Sequence, residues 1–337
     1  MAYSGGRIEV DASTKIPRAA RAIPFGIELL SGLAILAAGL LGYVLFPDDL
    51  AFLTRIVSLV FLVLSLDLVI GYCGIATLGH AALFGVAAYA AGIACTLSMA
   101  EPLLLLGVGL LAGACTGLLA GVLITRFKGL PQLVISIAFG QLVAALANKL
   151  SWLTGGSDGL SGIDPGRVVG LFRFDLQGRT GFLFSLGVLA IVFVLLTRFV
   201  RSPFGLMCRG IKDDDLRARM IGVSVYARLV IMYGVSGSVA GIGGALTAIT
   251  AGVVGLDSVG FERSAEALVM LALGGAGHLW GAVIGAVLFQ VFEHVVSAAN
   301  PFHWMTMIGL LLIAIVVLAP HGLTPLLLKA WRRRRAA

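Results

Sequence analysis

Residues 51–70 read AFLTRIVSLVFLVLSLDLVI, and residues 71–80 continue GYCGIATLGH. The first stretch holds only two charges, Arg55 and Asp67, and is apolar almost throughout. At about 1.5 Å rise per residue, a helix of that length crosses the ~30 Å hydrocarbon core of a bilayer. The second stretch has no charge and three glycines, Gly71, Gly74 and Gly79. It interrupts the helical pattern without supplying the polar residues of a water-facing loop.

The same ruler, carried along the chain, gives further apolar runs near 26–46, 80–99, 103–125, 130–150, 181–200, 228–252, 263–277, 279–298 and 303–320. The chain thus reads as an all-α polytopic membrane protein of about ten transmembrane helices. The run 263–277 is short, and 71–79 is glycine-rich, so each is a candidate broken or re-entrant segment. Such segments are tolerated at depth only where protein or a water-filled path covers the backbone.

Composition agrees. Of 337 residues, 59% are hydrophobic and 12% are charged, with mean hydropathy +1.03. Soluble domains average about 25% charged residues, so this surface is built for lipid. The formal net charge is +7. Its basic residues sit in short patches between apolar runs, which points to membrane orientation and not to nucleic acid. The four cysteines, Cys73, Cys95, Cys115 and Cys208, do not form a disulfide framework and read as small buried hydrophobes. The first apolar run begins near Phe25 and reads as an uncleaved span.

Orientation follows from counting cations. With the N-terminus inside and the spans alternating, the cytoplasmic segments hold 18 of the 24 Lys and Arg. They include Arg126, Lys128, Arg198, Arg201, Arg209, Lys212, Arg217, Arg219, Arg228 and the closing Arg332 to Arg335. That asymmetry obeys the positive-inside rule and places both termini in the cytoplasm. The expected organisation is a cytoplasmic segment 1–24, a transmembrane domain 25–322 and a basic cytoplasmic tail 323–337. Within the domain, 151–180 is an external, periplasmic loop and 201–227 a cytoplasmic one.

Chemistry is sparse. No G-x-x-x-x-G-K-[ST] phosphate loop occurs, and the glycines at 274–281 are not followed by a lysine. The histidines are scattered, without a metal motif. Energy for active transport must therefore come from an ion gradient or from a partner.

The cytoplasmic loop is the most informative polar segment. Pro203 and Gly205 make a turn. Lys212 to Met220 then has the composition of one short amphipathic helix, opened by Asp213, Asp214 and Asp215 and stopped by Gly222. A helix lying outside the spans suits the docking of another protein; the alternative is a charged connector.

Four segments, in order, resemble the LivM-type permeases of branched-chain amino acid ABC importers. Gly71-Tyr72-Cys73-Gly74-Ile75-Ala76-Thr77-Leu78-Gly79-His80 is similar to the family's GY-x-G-x-x-SLGH segment, with Thr77 in place of serine. Asp215 to Val223 resembles its E-x-x-A-x-x-x-G-(I/V) coupling segment, with Asp215 for glutamate and with Arg217 and Arg219 at positions commonly small or acidic. Leu268 through Gly281 resembles its LVM-x-x-x-GG-x-G segment, and Ala319 to Leu323 its closing AP-(R/K)-GL. The resemblance implies a multi-pass permease of the bacterial inner membrane. It implies a second, LivH-like permease subunit, two cytoplasmic ABC ATPases that hydrolyse the ATP, and a periplasmic substrate-binding protein. The chain itself is then no enzyme and binds no cofactor. Lys212, Asp213, Asp214, Asp215, Leu216, Arg217, Ala218 and Gly222 would form the ATPase-coupling segment.

Ionisable residues within spans are costly, at least about 2.5 kcal/mol at a helix centre, and are expected to face protein or water. Asp67 is a candidate pathway residue, or an interfacial acid at its span's cytoplasmic end. His80 reads as a pathway group or as a histidine bonded to a freed carbonyl. Gln141 and Asn148, seven apart on one face, suit helix-to-helix hydrogen bonding or substrate contact. Glu266 carries the same two readings, and Gly71, Gly74, Thr77 and Gly79 complete the candidate pathway. Gly277-His278 echoes Gly79-His80 in the other half of the chain. The rival function is an ion-coupled secondary transporter of small amino acids, amides or carboxylates, for which Asp67 and Glu266 are few charges.

Overall fold

A computed structural model describes residues 25–97, 100–167 and 178–299, with isolated positions at 306, 307, 309, 310, 313 and 322. The expected terminal segments 1–24 and 323–337, and most of the run 303–320, lie outside the described residues.

The element order is α1 (Phe25–Leu45), α2 (Leu50–Leu66), a π-helical turn (Asp67–Tyr72), α3 (Ala81–Leu97), α4 (Pro102–Ile124), α5 (Leu130–Lys149), α6 (Ser151–Thr154), α7 (Arg179–Arg201), α8 (Pro203–Asp213), α9 (Asp215–Met220), α10 (Val225–Ala251), α11 (Phe261–Gly274) and α12 (Leu279–Ala299). Among the described residues the only β pairing is the isolated bridge Leu160–Val254. Among the described residues, seven helices are long and apolar enough to cross a membrane by themselves: α1, α2 with its π turn, α4, α5, α7, α10 and α12. Two expected spans are shorter. Helix α3 has 17 residues and α11 has 14, because each adjoins a break. With them, each of the nine apolar runs that fall within the described residues contains a helix.

Burial sorts these helices. Helices α2 and α10 are mostly buried, whereas most residues of the apolar windows in α1, α4, α5 and α12 are not. The exposed residues include Leu29, Leu33, Leu40 and Leu41 on α1 and Leu104, Leu111, Leu118 and Leu119 on α4. Exposed leucine at this density is what a lipid-facing surface requires. The expectation that all four cysteines are buried fails at Cys115, which is exposed on α4, while Cys73, Cys95 and Cys208 are buried.

Helices α4 and α10 share the most extensive contact in the chain. Gly109, Gly113, Gly117 and Gly121 recur every fourth residue on α4 and meet Gly237, Gly241, Tyr233 and Ala245 on α10. Small residues at this period let two backbones touch, and dispersion over that close seam replaces the hydrophobic drive that lipid removes. The pairing runs Gly109 to Ala245 and Gly121 to Val230, so the helices are antiparallel. Helices α1 and α7 are antiparallel by the same logic, with Gly32 on Val194 and Gly39 on Leu186.

The loops gather at two ends. At one, Lys128 of the α4–α5 turn is ion-paired with Asp215, Tyr226 Oη donates to the Val122 carbonyl at 3.1 Å, and Arg228 stacks over Phe204. This basic end carries α8 and α9. At the other, the Leu160 and Val254 backbones exchange hydrogen bonds of 2.8 and 2.9 Å, and Gly166 donates to Ala100 at 2.6 Å.

The single helix expected over Lys212–Met220 is instead two. Lys212 and Asp213 end α8, and Asp214 breaks the path with extended dihedrals, φ −158° and ψ 103°. Asp214 Oδ1 then accepts from the Leu216 and Arg217 amides at 3.0 and 3.1 Å, an N-cap for α9. Gly222 ends α9 at φ 85°. Its amide donates to the Arg219 carbonyl, and the Val223 amide donates to that of Ala218, the paired bonds of a Schellman stop.

Candidate functional site

Two interrupted helices meet inside the bundle. Helix α2 widens into the π turn at Asp67, and the chain is then non-helical from the end of that turn until Ala81. Helices α11 and α12 are separated by residues 275–278, with Gly275 at φ 101° and Gly277 at φ 89°, conformations that favour glycine. The two breaks touch. The Gly277 amide donates to Asp67 Oδ1 at 2.6 Å. A methyl on Gly71 would fall on the Asp67 carboxylate and on the Gly277 amide, so only glycine allows this approach. The two glycine-rich breaks noted in the two halves of the sequence are therefore spatial neighbours.

A break within a membrane frees backbone groups that water cannot serve, so side chains must. The Leu78 amide donates to Ser136 Oγ of α5 at 3.0 Å. The Ala81 amide, first of α3, donates to Ser264 Oγ of α11 at 2.9 Å. Gly79 packs on α5 at Ser136 and Gly140. His80 is fully buried, and its Nε2 lies 3.0 Å from both Ser65 Oγ of α2 and Ser236 Oγ of α10. Ser236 Oγ also donates to the Ser65 carbonyl at 2.6 Å. The imidazole thus bridges the two central helices by hydroxyls, not through the freed carbonyl that the sequence suggested. Asp67 Oδ2 and His80 Nδ1 are buried and find no hydrogen-bond partner among the described residues, while the Tyr233 hydroxyl lies against that of Thr77. Two such atoms beside one break are a reserve of polar sites.

Helix α8 closes this junction from the basic end. Lys212 Nζ donates to the Gly71 carbonyl at 2.7 Å, and its stem lies over Gly74, where a Cβ would come 2.9 Å from Lys212 Cγ. Arg209, one turn earlier, sits 4.6 Å from the centroid of the Tyr72 ring. The charges of Lys212 and Arg209 both act on Asp67.

The structure therefore brings Asp67, Gly71, Gly74 and Lys212 together, with Thr77, Gly79 and His80 adjoining them. Asp67 is fully buried, so its carboxylate is turned into the chain and onto the second break. Glu266 stands apart, ion-paired with Arg263 at 2.9 Å. Gln141 and Asn148 are exposed on α5. The coupling candidates divide. Asp213 is exposed, Asp214 caps α9, Asp215 pairs with Lys128 and Arg219, and Ala218 is buried against the bundle. Leu216, Met220 and Ile221 are 61, 78 and 81% exposed. Sequence reasoning missed Ser65, Ser136, Ser236 and Ser264. Their only signal was a hydroxyl inside an apolar run, which helices also use locally.

Comparison with known proteins supplies the family. The family described as "Branched-chain amino acid transport system / permease component" matches residues 50–318. The chain is 27% identical over 306 residues to the high-affinity branched-chain amino acid transport system permease protein LivM of Escherichia coli (strain K12), covering 82% of this chain and 70% of the relative. It is 28% identical over 218 residues to the autoinducer 2 import system permease protein LsrC of Photorhabdus laumondii, covering 62% of each. Over 130 residues it is 27% identical to the permease protein LivH of Escherichia coli (strain K12), covering 38% of this chain and 42% of the relative. No solved structure matches the chain. A multi-pass bundle with two touching broken helices, matched by the family from α2 onward, belongs to the branched-chain amino acid transport system permease family.

Proposed function

We propose that the chain is the permease subunit of an ABC importer for branched-chain amino acids, lining half of a path that a second, LivH-like permease completes. The observation that carries the proposal is α9. This capped helix at the basic end holds Leu216, Met220 and Ile221 in the open. Leu216 and Met220 lie on a helix too short to be a span, and Ile221 is its C-cap. Covering a side chain of this kind gains about 1.5–3 kcal/mol, so the triplet suits a groove on another protein. By the positive-inside rule the basic end is cytoplasmic, where ATP is available. Two cytoplasmic ABC ATPases would seat the segment Asp214–Gly222 and hydrolyse the nucleotide, while Lys212 is turned inward on the Gly71 carbonyl, and the chain would carry out no chemistry itself. A periplasmic binding protein would deliver substrate at the opposite end, near residues 155–167 and 252–260. The protein then sits in a bacterial inner membrane with both termini in the cytoplasm.

The path itself would run along α5. Its exposed face carries Val134, Ala138, Gln141, Ala145 and Asn148. Amides exposed within a span are costly against lipid, so this face suits a partner subunit or a water-filled passage. Gln141 is then the strongest pathway candidate. Asp67, Thr77, Gly79 and His80 are sealed inside the chain and would support the wall from behind.

Purification in mild detergent tests the reading. Two ATPases and a second permease should remain bound, and vesicles should take up leucine only with ATP. Uptake driven by a proton gradient, without ATPases, would establish the ion-coupled alternative. Leu216→Glu combined with Met220→Glu should remove the ATPases while the chain still inserts.

A further inference from the structure

The segment that docks and the segment that breaks are tied by a handful of atoms. Helix α8 leads directly into α9, separated only by Asp214. Its Lys212 ammonium holds the Gly71 carbonyl at 2.7 Å, and its Arg209 guanidinium lies against Tyr72. Gly71 in turn touches Gly277, whose amide is held by Asp67 at 2.6 Å. Between α8 and the break the thiols of Cys73 and Cys208 face each other, and both residues are buried.

We infer that Lys212 is a positioning residue, a latch by which the docking loop holds the touching α2–α3 and α11–α12 breaks closed at the cytoplasmic end. The inference rests on the proposed docking of α9 and adds how the motion of a docked motor reaches the pathway.

Three features fit a latch. The bond is single and charge-assisted, strong enough to hold a position yet made to a carbonyl that ends a π turn and so has no helical claim on it. The lysine stem lies over Gly74, a residue without a side chain to block its movement. The group beneath has an alternative partner for the cation: Asp67 Oδ2 is buried and unpaired. A pull on α9 that turns α8 would withdraw the ammonium from Gly71, and the Asp67–Gly277 contact would lose its lid.

Two measurements test this. In the first, membranes are treated with a water-soluble maleimide from the cytoplasmic side, and modification of Cys73 and Cys208 is quantified by mass spectrometry. Lys212→Met keeps the stem and removes the ammonium. It should raise the labelling rate of both thiols at least five-fold, and Lys212→Arg, which retains a donor, should stay within two-fold of the wild type. Unchanged labelling in Lys212→Met overturns the latch. Failure of that variant to accumulate overturns it too, because a positioning contact is not needed for folding. In the second, leucine transported per ATP hydrolysed is measured in vesicles holding the whole complex. The ratio should fall at least five-fold in Lys212→Met with the ATPases still bound, and recover in Lys212→Arg. Loss of the ATPases from Lys212→Met would make Lys212 a docking residue and refute the inference. Absence of ATP-driven uptake in the wild type would refute the importer reading instead, and the labelling comparison would still decide the latch.

Discussion

Two glycine-rich regions of this bundle use the same residue for opposite purposes. At the α4–α10 seam, glycines lie within unbroken helices whose amides and carbonyls are already paired. A Cβ on Gly237 would stand 2.9 Å from Gly117 Cα, and one on Gly241 3.1 Å from Gly113 Cα. There glycine removes a side chain so that two regular backbones can lock. At the junction of residues 67–80 and 275–278, glycine removes regularity itself. The freed groups are then held one by one, by Asp67, Ser136, Ser264 and Lys212. A seam held by continuous close packing is rigid, whereas a junction held by separate hydrogen bonds can be released stepwise. The bundle thus keeps a stiff spine beside a part able to move.

The largest effect should come from filling the seam. Gly237→Leu pushes a side chain into α4 backbone on both sides, costing about 3 kcal/mol or more. It should abolish accumulation in membranes. Gly107→Leu, on the same α4 but with nothing within 4 Å of the new Cβ, should accumulate like the wild type. Equal behaviour of the two would end the distinction between spine and surface.

An intermediate effect belongs to the junction. Asp67→Ala leaves the half-buried Gly277 amide without its partner, which costs about 1 kcal/mol. Thermal unfolding in detergent should show this loss. Asp67→Asn retains an acceptor and should recover most of it. If Asn were no better than Ala, the carboxylate would matter for its charge and not for the bond.

The smallest effects are Ser136→Ala and Ser264→Ala, each removing one interhelical bond worth about 0.6 kcal/mol in membranes. They serve different amides, Leu78 and Ala81. The double variant should therefore lose close to the sum of the singles, within about 0.5 kcal/mol. A large excess would mean that the junction opens as one unit.

Much of the spine and little of the junction's wiring could be read from residues alone. The spans follow from run length, because a bilayer imposes one ruler on every helix. The breaks were visible as glycine without charge at 71–79 and as a short run at 263–277. The α4 seam had a legible signal, Gly109, Gly113, Gly117 and Gly121 at period four, that hydropathy alone passes over. The contacts of His80 with Ser65 and Ser236 were not legible. They join residues 15 and 156 apart in sequence, and nothing local dictates which helices enclose the ring. The division of the docking loop also escaped detection. Three consecutive aspartates open a helix equally well by composition, and only the fold selects Asp214 as the cap.

The account depends on α9 facing the compartment where ATP is hydrolysed. Met220→Cys gives the direct test, since Met220 is 78% exposed. A membrane-impermeant maleimide should label residue 220 in inside-out membranes, not in right-side-out ones, and bound ATPases should block the labelling. Labelling from the outer face, or labelling unaffected by ATPases, would contradict the account.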